Sequence, residues 1–250
     1  MNNDVRRIGV LIPPGNIAME RELPIHAPEG VVVHFNRMSR PGSGITRESL
    51  LAMMDSVDRS AYDLAQAQPA VILYGCTSGS FLSGPGREDE LATRITKGTG
   101  IAAYTTSTAV IRALEAVGAK RVFMLTPYPD EVNEHEIGFL RFRGINAIAA
   151  DAFRCPTSED IRKVSSEMVY ERLLAHREAI ADTDAVFISC TNLLALDQIE
   201  RLERELGKPV VTSNQASLWI ALAHLGVATD RMAAGSLFRL KDAAARVRAA

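Results

Sequence analysis

A chain of 250 residues that is 47% hydrophobic can bury a full core, as one large domain or as two lobes of ordinary size. Its charges nearly cancel, 28 Lys and Arg against 30 Asp and Glu, and Arg6, Arg7, Arg37 and Arg40 are scattered rather than gathered into a run. That balance excludes the electrostatic footprint of a nucleic-acid or anionic-membrane binder and points to a small-molecule partner.

From the N-terminus, Met1 to Arg7 leads into an apolar segment, Ile8–Ile12, too short for a signal-peptide core and closed by Pro13-Pro14. It reads as a first strand. A helical pattern follows over Glu48–Gln66, then a strand over Ala70–Tyr74 and helices over Glu88–Lys97 and Ser107–Val117. Ser83-Gly84-Pro85-Gly86 reads as a turn or lid hinge. The second half repeats the alternation: strand Arg121–Leu125, helices Asp130–Arg141 and Ser158–Ile180, strand Ala185–Ser189, helix Ala195–Leu206, strand Pro209–Thr212 and helix Ala216–Leu225. Gly118, Gly207 and Gly226 fall just past helical stretches, where a left-handed cap is expected. The tail Lys241–Ala250 suits a short helix or a frayed end. Short, β-branched, continuous apolar strands alternating with helices predict an α/β fold built on mostly parallel sheet.

The two halves resemble one another. Arg7-Ile8-Gly9-Val10-Leu11-Ile12-Pro13 matches Arg121-Val122-Phe123-Met124-Leu125-Thr126-Pro127, and Val71 to Thr77 matches Ala185 to Thr191, both at 114 residues (121 minus 7, 190 minus 76). Tyr104–Gly118 matches Thr212–Gly226 at 108 (226 minus 118). The expected architecture is two pseudo-symmetric lobes, residues 1–112 closed by 216–250 and residues 113–215, with a cleft between them. Ligands of open α/β sheets bind beyond the carboxyl ends of the strands. Cys76 and Cys190 each close a strand at matched positions of the repeat, which would place their thiols on opposite sides of one cleft.

In Tyr74-Gly75-Cys76-Thr77-Ser78-Gly79-Ser80 the glycines permit close backbone approach and the hydroxyls offer caps. A cysteine beside a helix N-terminus is expected to have a lowered pKa. Ser189-Cys190-Thr191-Asn192 is the counterpart. The competing reading is a pair of inert buried cysteines, and Cys155 has no partner in the other half. Three cysteines, an odd number without a leader, read as free thiols and place the protein in the cytoplasm. The five histidines are scattered and no Cys-x-x-Cys spacing occurs, so no metal ligand set is expected. No dinucleotide or P-loop glycine motif is present. No apolar run approaches the roughly 20 residues of a membrane span.

The remaining strand ends carry neutral polar groups: Pro13-Pro14-Gly15-Asn16, Thr126-Pro127-Tyr128, Thr105 to Thr108, and Ser213-Asn214-Gln215. Together with Thr77, Ser78, Thr191 and Asn192 they describe amides and hydroxyls that hold a carboxylate without a dedicated arginine. Candidate binding residues are thus Pro14, Asn16, Thr77, Ser78, Thr108, Tyr128, Thr191 and Asn192.

The segments Ile8 to Asn16, Cys76-Thr77-Ser78, Ser107 to Val110, Thr126-Pro127-Tyr128 with Asp130 to Asn133, and Ser189 to Leu194 resemble the aspartate/glutamate racemase superfamily. Within it they are most similar to the branch of maleate cis-trans isomerase and arylmalonate decarboxylase, from about Arg7 to Leu240. The resemblance implies two pseudo-symmetric lobes and no metal or organic cofactor. It implies Cys76 as nucleophile or acid/base, Cys190 as the other acid/base, and Asn16 and Tyr128 as carboxylate ligands. Arylmalonate decarboxylases carry glycine where this chain has Cys76, whereas the isomerases and racemases keep both thiols. Two departures stand out: Thr77-Ser78-Gly79-Ser80 replaces bulky apolar residues, and an asparagine expected near Ser158 is missing. The first is closer to racemase-like members linked to ectoine catabolism.

The expected activity is a two-cysteine isomerisation or racemisation of a small mono- or dicarboxylic acid, with decarboxylation, which needs only Cys190, as the enzymatic alternative. Two lobes around a cleft also suit a non-catalytic binding protein. A homo-oligomer is compatible with all of these.

Overall fold

The computed structural model describes residues 5–82, 84, 86–230 and 232–240. The read tail from Lys241 on, residues 1–4, and Ser83 and Pro85 of the expected hinge lie outside them.

Strands β1 (Arg6–Ile12), β3 (Val71–Tyr74), β5 (Arg121–Thr126) and β7 (Ala185–Ile188) fall where the apolar runs predict them. Each is buried along most or all of its length, because helices cover both faces of the sheet. The first sheet is completed by β2 (Val31–Arg37) and β4 (Ala103–Thr105) in the order β2-β1-β3-β4. The second is completed by β6 (Asn146–Ala152) and β8 (Val210–Thr212) in the order β6-β5-β7-β8. Every pairing in both sheets is parallel.

The repeat read from the sequence is therefore a repeat of topology. Even its register carries over: Ile8 pairs with Val71 in one sheet, and Val122 with Ala185, their counterparts at 114, in the other. At the third pair of segments the caps refine the alignment. Thr105 accepts the Thr108 amide at the start of α6 (Thr106–Ala116), and Thr212 accepts the Gln215 amide at the start of α12 (Ser213–His224). Those caps are 107 residues apart (212 minus 105), because α12 is one residue longer than α6. Helices α6 and α12 lie against each other, joined by the buried Thr106 and Ser217 hydroxyls at 3.2 Å. The last helix thus packs on β3 and β4 as well as on β8.

Helices α5 (Glu88–Thr99), α7 (Asp130–Phe142) and α11 (Ile199–Leu206) lie where expected, and Gly118, Gly207 and Gly226 end helices at φ of 75°, 64° and 66°. Two long expected helices are divided. The first becomes α2 (Arg47–Ala52), a 3-10 turn over Met53–Ser56, and α3 (Val57–Ala65). The second becomes α8 (Ser158–Lys163), α9 (Ser166–Ala175), whose start Ser165 caps through the Met168 amide, and α10 (Arg177–Ala181). Two helices were unforeseen: α1 (Ala18–His26), which carries Pro24 in its interior, and the five-residue α4 (Thr77–Phe81). Among the described residues no helix is long and apolar enough to cross a membrane.

Candidate active site

The carboxyl ends of β1, β3, β5 and β7 converge on a narrow cavity with an accessible volume of about 30 Å3. Cys76 and Ser78 enter it from the end of β3, and Cys190, Thr191 and Asn192 from the end of β7. Pro13 and Asn16 follow β1, and Tyr128 follows β5. Arg40, Ile45, Leu50, Ser158 and Ile161 close the remaining walls.

Cys76 stands at the N-cap of α4, with its Sγ accepting the Gly79 amide at 3.3 Å and Ser78 Oγ 3.7 Å away. Position 79 must be glycine for this cap: a Cβ there would lie 2.5 Å from Tyr74 Oη and 3.1 Å from Cys76 Sγ. Cys190 is held differently. Its backbone sits at φ 104°, in the half of conformational space that a side chain disfavours. Its amide donates to Ser213 Oγ at 3.0 Å, the same oxygen that receives the Thr77 hydroxyl at 2.9 Å. Ser213 therefore ties the backbone of one cysteine to the residue that follows the other. The Asn192 amide donates to Cys190 Sγ at 3.3 Å.

The polar groups between the thiols join the two halves. Asn16 Nδ2 donates to Thr191 Oγ1 (3.0 Å), which donates to the Gly75 carbonyl (3.0 Å), while the Ile17 amide donates to Asn192 Oδ1 (2.9 Å). Asn16 Oδ1 is taken by the Met19 amide, so one Nδ2 hydrogen remains for a ligand. Behind them the buried Glu22 accepts from the Ala195 and Leu196 amides (2.7 and 2.9 Å) and from Asn214 Nδ2 (2.6 Å), fixing the loop that carries Cys190.

The electrostatics correct one expectation. The cap on Cys76 is present, yet its thiol pKa is raised: burial dominates over the Gly79 amide, the Ser78 hydroxyl and the Arg40 charge, all of which lower it. Burial pushes Cys190 up to about 12, against the Tyr128 hydroxyl and the Asn192 amide; Cys76 and Glu136 push it further up. Both thiols are therefore protonated near neutral pH before a ligand binds.

Of the candidate residues, Cys76, Cys190, Asn16, Ser78, Tyr128, Thr191 and Asn192 come together on the cavity. Three do not. Thr77 turns its hydroxyl to Ser213. Thr108 donates to Asp89 at 2.6 Å and lines a separate surface cavity, because the first turn of α6 points it away. Pro14 is replaced by Pro13 on the wall, and its carbonyl receives Arg37. The expectation of a carboxylate site without an arginine also fails, since Arg40 lines the cavity. Arg40 follows β2, an edge strand that the sequence reading missed, so nothing pointed it at the strand ends. Cys155 is buried away from the cavity. Among the described residues no cluster of His, Cys, Asp or Glu is arranged to hold a metal.

Two thiols on one cavity, at the carboxyl ends of twin parallel sheets, define the cysteine acid/base and nucleophile class of α/β enzymes. Residues 8–238 match the arylmalonate decarboxylase family, and the chain belongs to it. The arylmalonate decarboxylase of Bordetella bronchiseptica is 33% identical over 73% of this chain and 76% of its own. The maleate isomerase of Nocardia farcinica is 27% identical over 96% of this chain and 98% of its own. A structure of the maleate isomerase from Pseudomonas putida S16 with maleate superposes with a TM-score of 0.84 at 27% identity, covering 94% of this chain and 97% of that one. With relatives of this kind, the protein is an enzyme, and the non-catalytic reading is set aside.

Proposed function

We propose that the protein is a maleate isomerase-like enzyme that interconverts the cis and trans forms of a small unsaturated dicarboxylic acid in the cytoplasm. The observation that carries this is the presence of both Cys76 and Cys190 on one cavity. A decarboxylation needs one thiol to deliver a proton and leaves Cys76 without a task.

The unequal surroundings of the two thiols divide the labour. Each thiol has two hydrogen-bond donors lowering its pKa, but only Cys76 also has a cation, Arg40, whereas Cys190, near 12, holds its proton throughout the working range. Cys76, once it has lost its proton to solvent, therefore acts as the thiolate nucleophile. It adds to one alkene carbon, forming a C–S bond as the π electrons move to the other carbon and delocalise into its carboxylate. Cys190 stands beside that carbon as the proton donor that relieves the charge. The bond between the two carbons is now single and rotates. Return of the proton to Cys190 and expulsion of the Cys76 thiolate release the trans acid. Asn16 Nδ2 and the Tyr128 hydroxyl, both on the cavity, are the donors that would hydrogen-bond the carboxylate that takes up charge. The same pair of thiols serves racemisation when the substrate is a saturated α-substituted acid.

Proton NMR of the purified protein with maleate in heavy water tests the proposal. Growth of the fumarate signal, lost by a factor of about 10²–10⁴ in Cys76→Ser and in Cys190→Ser, is the expected result. An unchanged spectrum with the wild-type protein removes maleate as substrate, and full activity in both variants removes the mechanism.

A further inference from the structure

Arg40 differs from the arginines that pair with carboxylates. Exposed arginines such as Arg94 and Arg201 sit on carboxylates at 2.7 and 3.0 Å. Arg40 lines the catalytic cavity and is half-buried, yet among the described residues no carboxylate pairs with it. Its Nη2 donates to Ser158 Oγ at 2.8 Å, and its buried Nε has no acceptor. The ionisable groups that act on it are the Cys76 and Cys190 thiols, which are uncharged near neutral pH.

A guanidinium cannot discharge the cost of burial by losing its proton, and a half-buried cation with no counter-charge is left partly desolvated. Such a group is completed by an anion from solution. Its position is also fixed by construction. Gly44 bridges to Thr157, the Ile45 amide donates to the Pro156 carbonyl (2.9 Å), and the Ser158 amide donates to the Ser43 carbonyl (3.0 Å). The segment after β2 is thus clasped to the start of α8 from the other half, and Ser158, at the end of that clasp, aims the guanidinium.

The other polar groups of the cavity, among them Asn16, Ser78 and Tyr128, are neutral donors. They suit the carboxylate next to the reacting carbon, whose charge changes during reaction. A full fixed charge is suited to a group that stays anionic throughout. We propose that Arg40 is a specificity-determining residue that binds the second carboxylate of the substrate through its planar fork and so selects dicarboxylic over monocarboxylic acids. This rests on the reading of the cavity as the active site.

The test uses unreactive ligands, so that binding is read apart from turnover. Calorimetric titration of the wild-type protein with succinate and with butyrate, of equal chain length, should show at least a tenfold preference for the diacid. Arg40→Met should abolish that preference while changing butyrate affinity by less than about threefold, and Arg40→Lys should restore part of it. A wild-type preference near one, or an equal preference in Arg40→Met, overturns the inference. If Arg40→Met fails to fold, Arg40→Lys and the wild-type ratio decide between the same outcomes. Loss of the preference in Arg40→Met without any conversion of maleate by the wild type keeps this inference and removes the isomerase reading. Conversion of maleate with the preference intact in the variant does the reverse.

Discussion

Glu136, on α7, is 1% exposed; its Oε1 accepts from Ser189 Oγ at 2.6 Å, and its Oε2 has no partner among the described residues. Burial raises its pKa from an ordinary 4.5 to about 8, with the Ser189 hydrogen bond opposing. Between those values the native protein holds a proton that the unfolded chain has released. Stability must therefore fall as pH rises from about 4.5 to about 8, at about 1.4 kcal/mol for each unit, or about 4–5 kcal/mol across the window. Glu136→Gln removes the titration and keeps an oxygen for Ser189. The variant should match the wild type at pH 5, within about 1 kcal/mol, and exceed it by about 3–4 kcal/mol at pH 8. Urea unfolding followed by the fluorescence of Trp219, the one tryptophan and fully buried, reads this at pH 5, 6, 7 and 8. Because other groups titrate alike in both proteins, the difference between the two curves isolates Glu136. Parallel curves would mean that the carboxyl is ionised in the native state and that the reasoning is wrong.

The strained backbone at Cys190 predicts that Cys190→Gly is more stable than Cys190→Ala by about 1–2 kcal/mol; Cys76, at an ordinary φ of −147°, should show no such gain from glycine. Both comparisons need only thermal or urea unfolding. Gly79→Ala, whose Cβ would meet Tyr74 Oη at 2.5 Å, should cost about 1–3 kcal/mol and slow turnover by displacing the Cys76 thiol. For the wild type, kcat/KM on maleate should climb through pH 7–9 as Cys76 ionises above the ordinary thiol range, with no decline from Cys190 until about pH 12. Alkylation of Cys76 by iodoacetamide should climb with it, being slow at pH 7; a plateau already reached below pH 8 would show that the thiolate is stabilised more than burial penalises it.

Central strands were legible because burial on both faces forces every residue of β3 and β7 to be apolar. The edges were not. In β6 exposed positions (Asn146, Ile148, Ala150) alternate with half-buried ones (Ala147, Ala149, Asp151), a pattern with little hydrophobic contrast, and β4 is only three residues long. α1 was hidden by Pro24, a residue that argues against a helix interior but is tolerated here. The site residues that were legible lie beside the cysteines or on the repeated strand ends. Arg40 and Ser158 were not, since each reaches the cavity through a contact 118 residues away in sequence. Thr108 was misassigned because strand-end position says which edge of the sheet a residue occupies, not which way the first helical turn rotates it. The thiol pKa was misjudged for a related reason: the cap on Cys76 can be read locally, whereas its burial is a property of the whole assembly.

The twin sheets place two cysteines alike, and what distinguishes them is everything the halves do not share. Although each sulfur accepts a backbone amide, on one side Arg40 adds a positive charge, so ionisation of Cys76 is opposed by burial alone. On the other, Glu136 and Cys76 itself add to burial in holding the proton on Cys190. Symmetric geometry with asymmetric surroundings is what a stepwise addition and protonation requires, since two equivalent thiols would compete for both tasks. A dianionic substrate shifts the balance further. Seated on Arg40 it would neutralise the cation that favours the Cys76 thiolate, so ionised enzyme and diacid bind with mutual opposition. The attacking thiolate is left less stabilised and correspondingly more reactive in the complex than in the free enzyme.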